Sequence, residues 1–198
     1  MKSLKAFGVA SAAVVTVTFG SGTASASPLP QPLAVVNAYS GQCMVMGTMD
    51  NGDNIIQHAC NLINDRRQVW DFIQTADNNQ DLAWFLRSQT SGKCIGVSSS
   101  LNNGPVVIQY TCNGAVDQKW WFTSNGFLRN VYSGKCLGVG SSKQIGKQLI
   151  QWPCNSNAKD QKWLTYRAPY DRAPFDSEVP MPDGEVLTPP ITSEPRPE

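Results

Sequence analysis

Apolar and polar positions along this chain alternate in short bursts. Phe127-Leu128-Arg129-Asn130-Val131 reads as a strand, Ser133-Gly134 as a turn, and Lys135 to Val139 as a second alternating run. Gly140 to Gly146 reads as a loop, Gln148 to Pro153 alternates again, and Trp163 to Tyr166 closes the unit. The stretch FLRNVYSGKCLGV, Phe127 to Val139, has a near twin in FLRSQTSGKCIGV, Phe85 to Val97. A more divergent third version, VVNAYSGQCMVM, begins at Val35 and keeps Ser40-Gly41 before Cys43. Between Pro32 and Tyr166 no apolar pattern holds a helical period for three turns. The pattern therefore predicts an all-β domain of three copies, each with about four short strands. Closing about twelve strands into a barrel removes exposed edges.

Two markers keep step with the copies. The six cysteines fall in order as Cys43 and Cys60, Cys94 and Cys112, Cys136 and Cys154, separated by 17, 18 and 18 residues. Six cysteines allow fifteen connectivities, and the repeat makes pairing within each copy the natural one. Each such loop would constrain the unfolded chain by about 3 kcal/mol in the entropic model. The second marker is a Gln-x-Trp triplet: Gln68-Val69-Trp70, Gln118-Lys119-Trp120 and Gln161-Lys162-Trp163. An asparagine follows each second cysteine: Asn61, Asn113 and Asn155. The tryptophans are large enough to fill a small core together. A glutamine beside that core must find polar partners, and neighbouring loop backbone can supply them. The spacing between tryptophans is 50 and then 43 residues, with the extra length between Trp70 and Phe85, where Ala76 to Asp81 reads as a longer turn.

The flanks differ in kind. Met1 to Ala26 has Lys2 and Lys5, an apolar run from Phe7 to Phe19, and Ala24-Ser25-Ala26 as a cleavage site, the pattern of a secretory signal peptide. That run is shorter than the roughly 20 apolar residues a membrane span needs. Residues 27–32 form a short linker, 33–166 the domain, and 167–198 a tail. The tail holds eight of the thirteen prolines and seven acids, a composition expected to be disordered. The sequence thus reads as a secreted, extracellular, monomeric protein whose mature form is not integral to the membrane. From 32 to 166 there are eleven basic and eight acidic residues with no basic block, so nucleic acid is not an expected partner. With one histidine, His58, and no close cysteine pair, neither metal nor other cofactor is implied.

Repeats of the form SGKCLGV…DQKW with a second cysteine between resemble the ricin-type β-trefoil lectins, including carbohydrate-binding modules of family 13. The resemblance covers Val35 to Tyr166 and implies a β-trefoil of three disulfide-containing copies, with a shallow sugar pocket in some of them. In that family an Asp two residues after the first cysteine grips hydroxyls. An aromatic two residues before the second cysteine stacks on the sugar. The residue before the triplet Gln, with the Gln itself, adds polar contacts. Carried onto this chain, the resemblance implies carbohydrate-binding residues Trp152, Asp160 and Gln161 in the third copy and Tyr110, Asp117 and Gln118 in the second. Asp117 and Asp160 take the place of the family Asn, and Gly96 and Gly138 stand where the family has Asp. The first copy offers Val45, His58, Arg67 and Gln68 at the four positions. The two aspartates either grip hydroxyls from the other side of the pocket or cap loop amides.

No pair of carboxylates is fixed at the separation glycoside hydrolysis requires, and no HExxH, GxSxG or nucleotide loop occurs. No catalytic residue is implied. The expectation is a lectin-like module that binds galactose-type sugars or polysaccharide weakly and multivalently through the second and third copies. The alternative is a protein-binding trefoil, a protease inhibitor or docking scaffold, with degenerate sugar pockets. An exposed aromatic at a groove favours the first; an apolar loop patch or an ordered tail favours the second.

Overall fold

A computed structural model describes residues 32–76 and 82–168. The expected signal segment, nearly all of the linker and the tail from residue 169 lie outside the described residues.

Each copy supplies four strands. The first contributes β1 (Leu33–Asn37), β2 (Cys43–Met46), β3 (Ile55–His58) and β4 (Val69–Ala76). The second contributes β5 (Leu82–Ser88), β6 (Cys94–Gly96), β7 (Ile108–Tyr110) and β8 (Lys119–Phe122). The third contributes β9 (Leu128–Asn130), β10 (Cys136–Gly138), β11 (Ile150–Trp152) and β12 (Trp163–Arg167). The outer two strands of each copy build a barrel wall through antiparallel pairs β1–β4, β4–β5, β5–β8, β8–β9 and β12–β1. A bridge between Phe127 and Lys162 joins the start of β9 to that of β12 and completes the ring. The inner two strands of each copy fold back as the hairpins β2–β3, β6–β7 and β10–β11. This is the expected all-β trefoil.

The core repeats in threes because the sequence does. Trp70, Trp120 and Trp163 are buried, and each indole N–H donates to a carbonyl on its copy's second strand: Met44 at 3.1 Å, Ile95 at 3.1 Å and Leu137 at 3.0 Å. Where the hairpins meet, Ile55 N–H donates to the Val107 carbonyl, Val107 N–H to Leu149 and Leu149 N–H to Ile55, at 2.9, 2.8 and 2.8 Å. The side chains of all three are fully buried, so this closed ring of backbone bonds caps an apolar core. Disulfides link Cys43–Cys60, Cys94–Cys112 and Cys136–Cys154, the pairing within copies.

The copies are also stitched to one another. Gln57, Gln109 and Gln151, each three residues before a second cysteine, are fully buried. Gln57 donates to the carbonyls of Ser142 and Gln144, Gln109 to those of Thr48 and Asp50, and Gln151 to those of Ser100 and Asn102. Their amide oxygens accept the hydroxyls of Ser40, Ser91 and Ser133. Each copy thus holds the hairpin loop of another.

One boundary lies further along the chain than expected. Arg167 pairs with Leu33, and the buried Ala168 donates its N–H to the Pro32 carbonyl, so the domain takes in two residues assigned to the tail. Part of the extra length after Trp70 goes into β4 and β5, which pair from Trp70–Ser88 to Ala76–Leu82; Ala76 thus belongs to β4, and residues 77–81 of the expected longer turn lie outside the described residues. Aromatic burial accounts for this: Phe72 packs edge-on to Trp84 at 6.3 Å and against Phe122 at 6.2 Å.

Candidate functional site

The third copy builds an open cavity of about 330 Å³. Alternation along β11 buries Gln151 and leaves Ile150 and Trp152 lining the cavity, with Trp152 48% exposed. Gly138 at the end of β10 forms part of the floor. A single 3-10 turn, Lys159–Gln161, brings Asp160 and Gln161 against it from the opposite wall. Gly140, Ser141, Asn155 and Ala158 complete the lining. The cavity therefore combines one exposed aromatic plane with one carboxylate. A sugar, with its apolar C–H face and rim of hydroxyls, matches both.

Asp160 is held from several directions. Its Oδ2 accepts the Ser141 N–H at 2.8 Å, and Ser141 and Gly140 both carry left-handed backbone, φ 56° and 58°. Its carbonyl accepts the Asn37 side-chain amide at 2.8 Å. The second copy repeats this. Asp117 Oδ2 accepts the Ser99 N–H at 2.9 Å, Ser98 and Ser99 are left-handed at φ 52° and 53°, and Asn130 donates to the Asp117 carbonyl at 2.8 Å. Tyr110 is exposed at the position of Trp152. Loop capping by both aspartates is thus real, and it leaves Oδ1 of each without a hydrogen-bond partner among the described residues.

The first copy is built differently. Thr48, at the position of Ser99 and Ser141, donates its N–H to Asp53 from its own loop. Arg67 replaces the aspartate and forms two 2.8 Å bonds to Asp65. The guanidinium holds the Asp65 carboxyl below the usual carboxylate range, chiefly through the side-chain hydrogen bond and against a smaller effect of burial. His58 is exposed where the aromatics stand.

The triplet glutamines serve the fold. Gln68, Gln118 and Gln161 are buried, accept the N–H of Asn61, Asn113 and Asn155, and donate to the carbonyls of Ala59, Thr111 and Pro153. Gln161 shapes the pocket wall while both ends of its amide are engaged with backbone. Sequence reasoning missed Ser141, Asn37 and Gly104. A Cβ on Gly104, in the second copy's loop, would lie 3.3 Å from the Trp152 ring, so this bare backbone abuts the platform. Its equivalents Gly52 and Gly146 meet nothing within 4 Å. Its register with them was visible; its contact was not. Among the described residues no cluster of His, Cys, Asp or Glu is arranged to hold a metal, and no helix is long and apolar enough to cross a membrane.

Residues 31–163 match the model of the ricin-type β-trefoil lectin domain, and the chain belongs to that family. It is a carbohydrate-binding, lectin-type module of a family of non-catalytic binding domains. Among solved structures it is similar to the designed threefold-symmetric protein ThreeFoil, at 26% identity and TM-score 0.60, over 67% of this chain and 95% of that one. It is similar to an exo-β-1,3-galactanase from Clostridium thermocellum, at 27% identity and TM-score 0.60, over 68% of this chain and 30% of the enzyme. The C-half of an earthworm R-type lectin, solved in complex with GalNAc, shares the fold at 14% identity and TM-score 0.52, over 69% of this chain and 98% of that one. No curated protein sequence matches the chain.

Proposed function

We propose that the protein is a secreted lectin whose third copy binds a galactose-type sugar or a polysaccharide unit, with the second copy as a further, weaker site. The sugar stacks on Trp152, its hydroxyls donate to Asp160, and Tyr110 and Asp117 act alike in the second copy. One observation carries the reading: the exposed Trp152 plane and the Asp160 carboxylate line the same cavity. The galactanase and the GalNAc-bound lectin among the similar structures support a galactose-type ligand. Two weak sites on one rigid domain favour a polymer, because the second contact is made at high effective concentration. The first copy, with His58 exposed and Arg67 paired to Asp65, is left without an equivalent site. Secretion is supported by the N-terminal segment and by three disulfides.

Protein binding retains one supporting observation, the exposed apolar Met49, Leu101 and Ile145 on the hairpin loops. Titration calorimetry of the mature protein against galactose, lactose, arabinan, xylan and chitin, beside Trp152→Ala, separates the two. Binding lost in the variant establishes the sugar site. Absence of binding to every member returns the loops to first place.

A further inference from the structure

We infer that Gly138 and Asp160 form a matched pair that selects neutral sugars; this rests on the carbohydrate-binding reading above. A Cβ on Gly138 would stand 3.1 Å from Gln161 Cγ, 3.5 Å from the Asp160 carbonyl oxygen and 3.6 Å from Asp160 Oδ2. The φ of Gly138 lies outside the left-handed region, so the backbone itself does not demand glycine. The space does. A side chain longer than a methyl would enter the volume beside the carboxylate.

The three copies supply an internal comparison. Gly96 is crowded in the same way, 3.1 Å from Gln118 Cγ and 3.2 Å from the Asp117 carbonyl. Where the second residue after the cysteine is glycine, the residue before the triplet glutamine is aspartate. In those two copies an asparagine from the following copy, Asn130 or Asn37, holds the aspartate carbonyl. In the first copy the same positions hold Val45 and Arg67, and Ser88 replaces the asparagine. The positions change together within one chain.

The consequence for ligand chemistry is direct. Asp160 Oδ2 already accepts the Ser141 N–H, and the carboxylate keeps further lone pairs to accept hydroxyl protons. Asp160 is the one charged side chain lining the cavity. A ligand carboxylate or sulfate placed there meets like charge with no cation in the cavity lining to offset it. Bare Gly138 lets the ring approach the backbone closely.

The test uses the mature chain carrying Tyr110→Ala, so that the third copy is read alone. Affinities for a neutral ligand (galactose or galactan) and an acidic one (polygalacturonate) are measured with Asp160→Asn, Gly138→Asp and the double variant, each shown to unfold at the parent's temperature. Asn at 160 keeps an oxygen for the Ser141 N–H. Each single variant is expected to lose about tenfold or more in affinity for the neutral ligand. The double variant, with one carboxylate again but carried by position 138, is expected to bind better than either single. If Gly138→Asp does not fold, Gly138→Ala replaces it: its loss must be large with Asp160 present and small once Asn stands there. Additive losses, or an acidic ligand bound as well as the neutral one, overturn the pairing. Undiminished binding by both single variants, with Trp152→Ala inactive, overturns the pairing and leaves the lectin reading intact. Failure of the parent to bind any sugar overturns both.

Discussion

Asp160 lines the pocket and also holds the Ser141 loop through Oδ2, so its substitutions must be chosen by what they keep. Alanine removes both contacts, and asparagine only the charge. The carbonyl of Asp160 is held by Asn37, a residue of another copy. Changing Asn37 to Ser, the residue at the same position in the second copy, is therefore expected to weaken third-copy sugar binding several-fold, read by calorimetry. Gln161 carries a structural cost. Its replacement by alanine leaves the Asn155 N–H and the Pro153 carbonyl without their partner and should lower stability by about 1–3 kcal/mol in urea unfolding. Asp65 is a weaker case because Arg67 is half-exposed. Its pKa is lowered in the folded chain, so the stability it adds is complete above its ordinary 3.8 and disappears as pH falls through the folded value. Asp65→Asn should cost at most about 1 kcal/mol at neutral pH. It should also flatten the acid limb of a stability–pH profile.

At the scale of the element, the hairpin of each copy is closed by a disulfide and its loop is gripped by a buried glutamine. Removing the third disulfide by Cys136→Ala and Cys154→Ala should cost about 3 kcal/mol, measured by denaturant unfolding. Gln151 predicts something more particular. Its loss frees the Ser100 and Asn102 carbonyls, and with them the loop whose Gly104 abuts Trp152. Gln151→Ala should raise hydrogen exchange in residues 100–104 and weaken sugar binding, although Gln151 points away from the cavity. These links explain what could be read from the sequence. The strands, the disulfides and the tryptophans announce themselves by alternation and register, because burial and cross-linking impose strict spacing. Gln57, Gln109 and Gln151 share that register. In an alternating strand, however, a polar residue reads as facing solvent, and only the neighbouring copy's loop makes it a core residue. Asp53 was illegible for a related reason: its contact with Thr48 depends on a turn whose shape alternation does not specify. Aromatic platform and carboxylate were legible by position, whereas Gly104 and Asn37 reach the site from other copies.

At the scale of the whole molecule, threefold architecture and unequal chemistry coexist. The core repeats faithfully, and the rim has diverged: a tryptophan-carboxylate pocket, a tyrosine-carboxylate counterpart, and a first copy in which arginine and aspartate satisfy each other. The bonds among Ile55, Val107 and Leu149 form a cycle in which every copy donates once and accepts once. Such a cycle counts. Two copies would leave a donor and an acceptor open in the driest part of the molecule, and a fourth would have no place to enter. Growth by adding copies is therefore barred, and enlargement must come from attaching further domains outside. The cycle is also indifferent to covalent connection. An isolated third-copy peptide, residues 127–168, with its disulfide formed, is accordingly expected to be unfolded alone and to assemble at high concentration as trimers. Sedimentation would show the step from one to three with no stable dimer between.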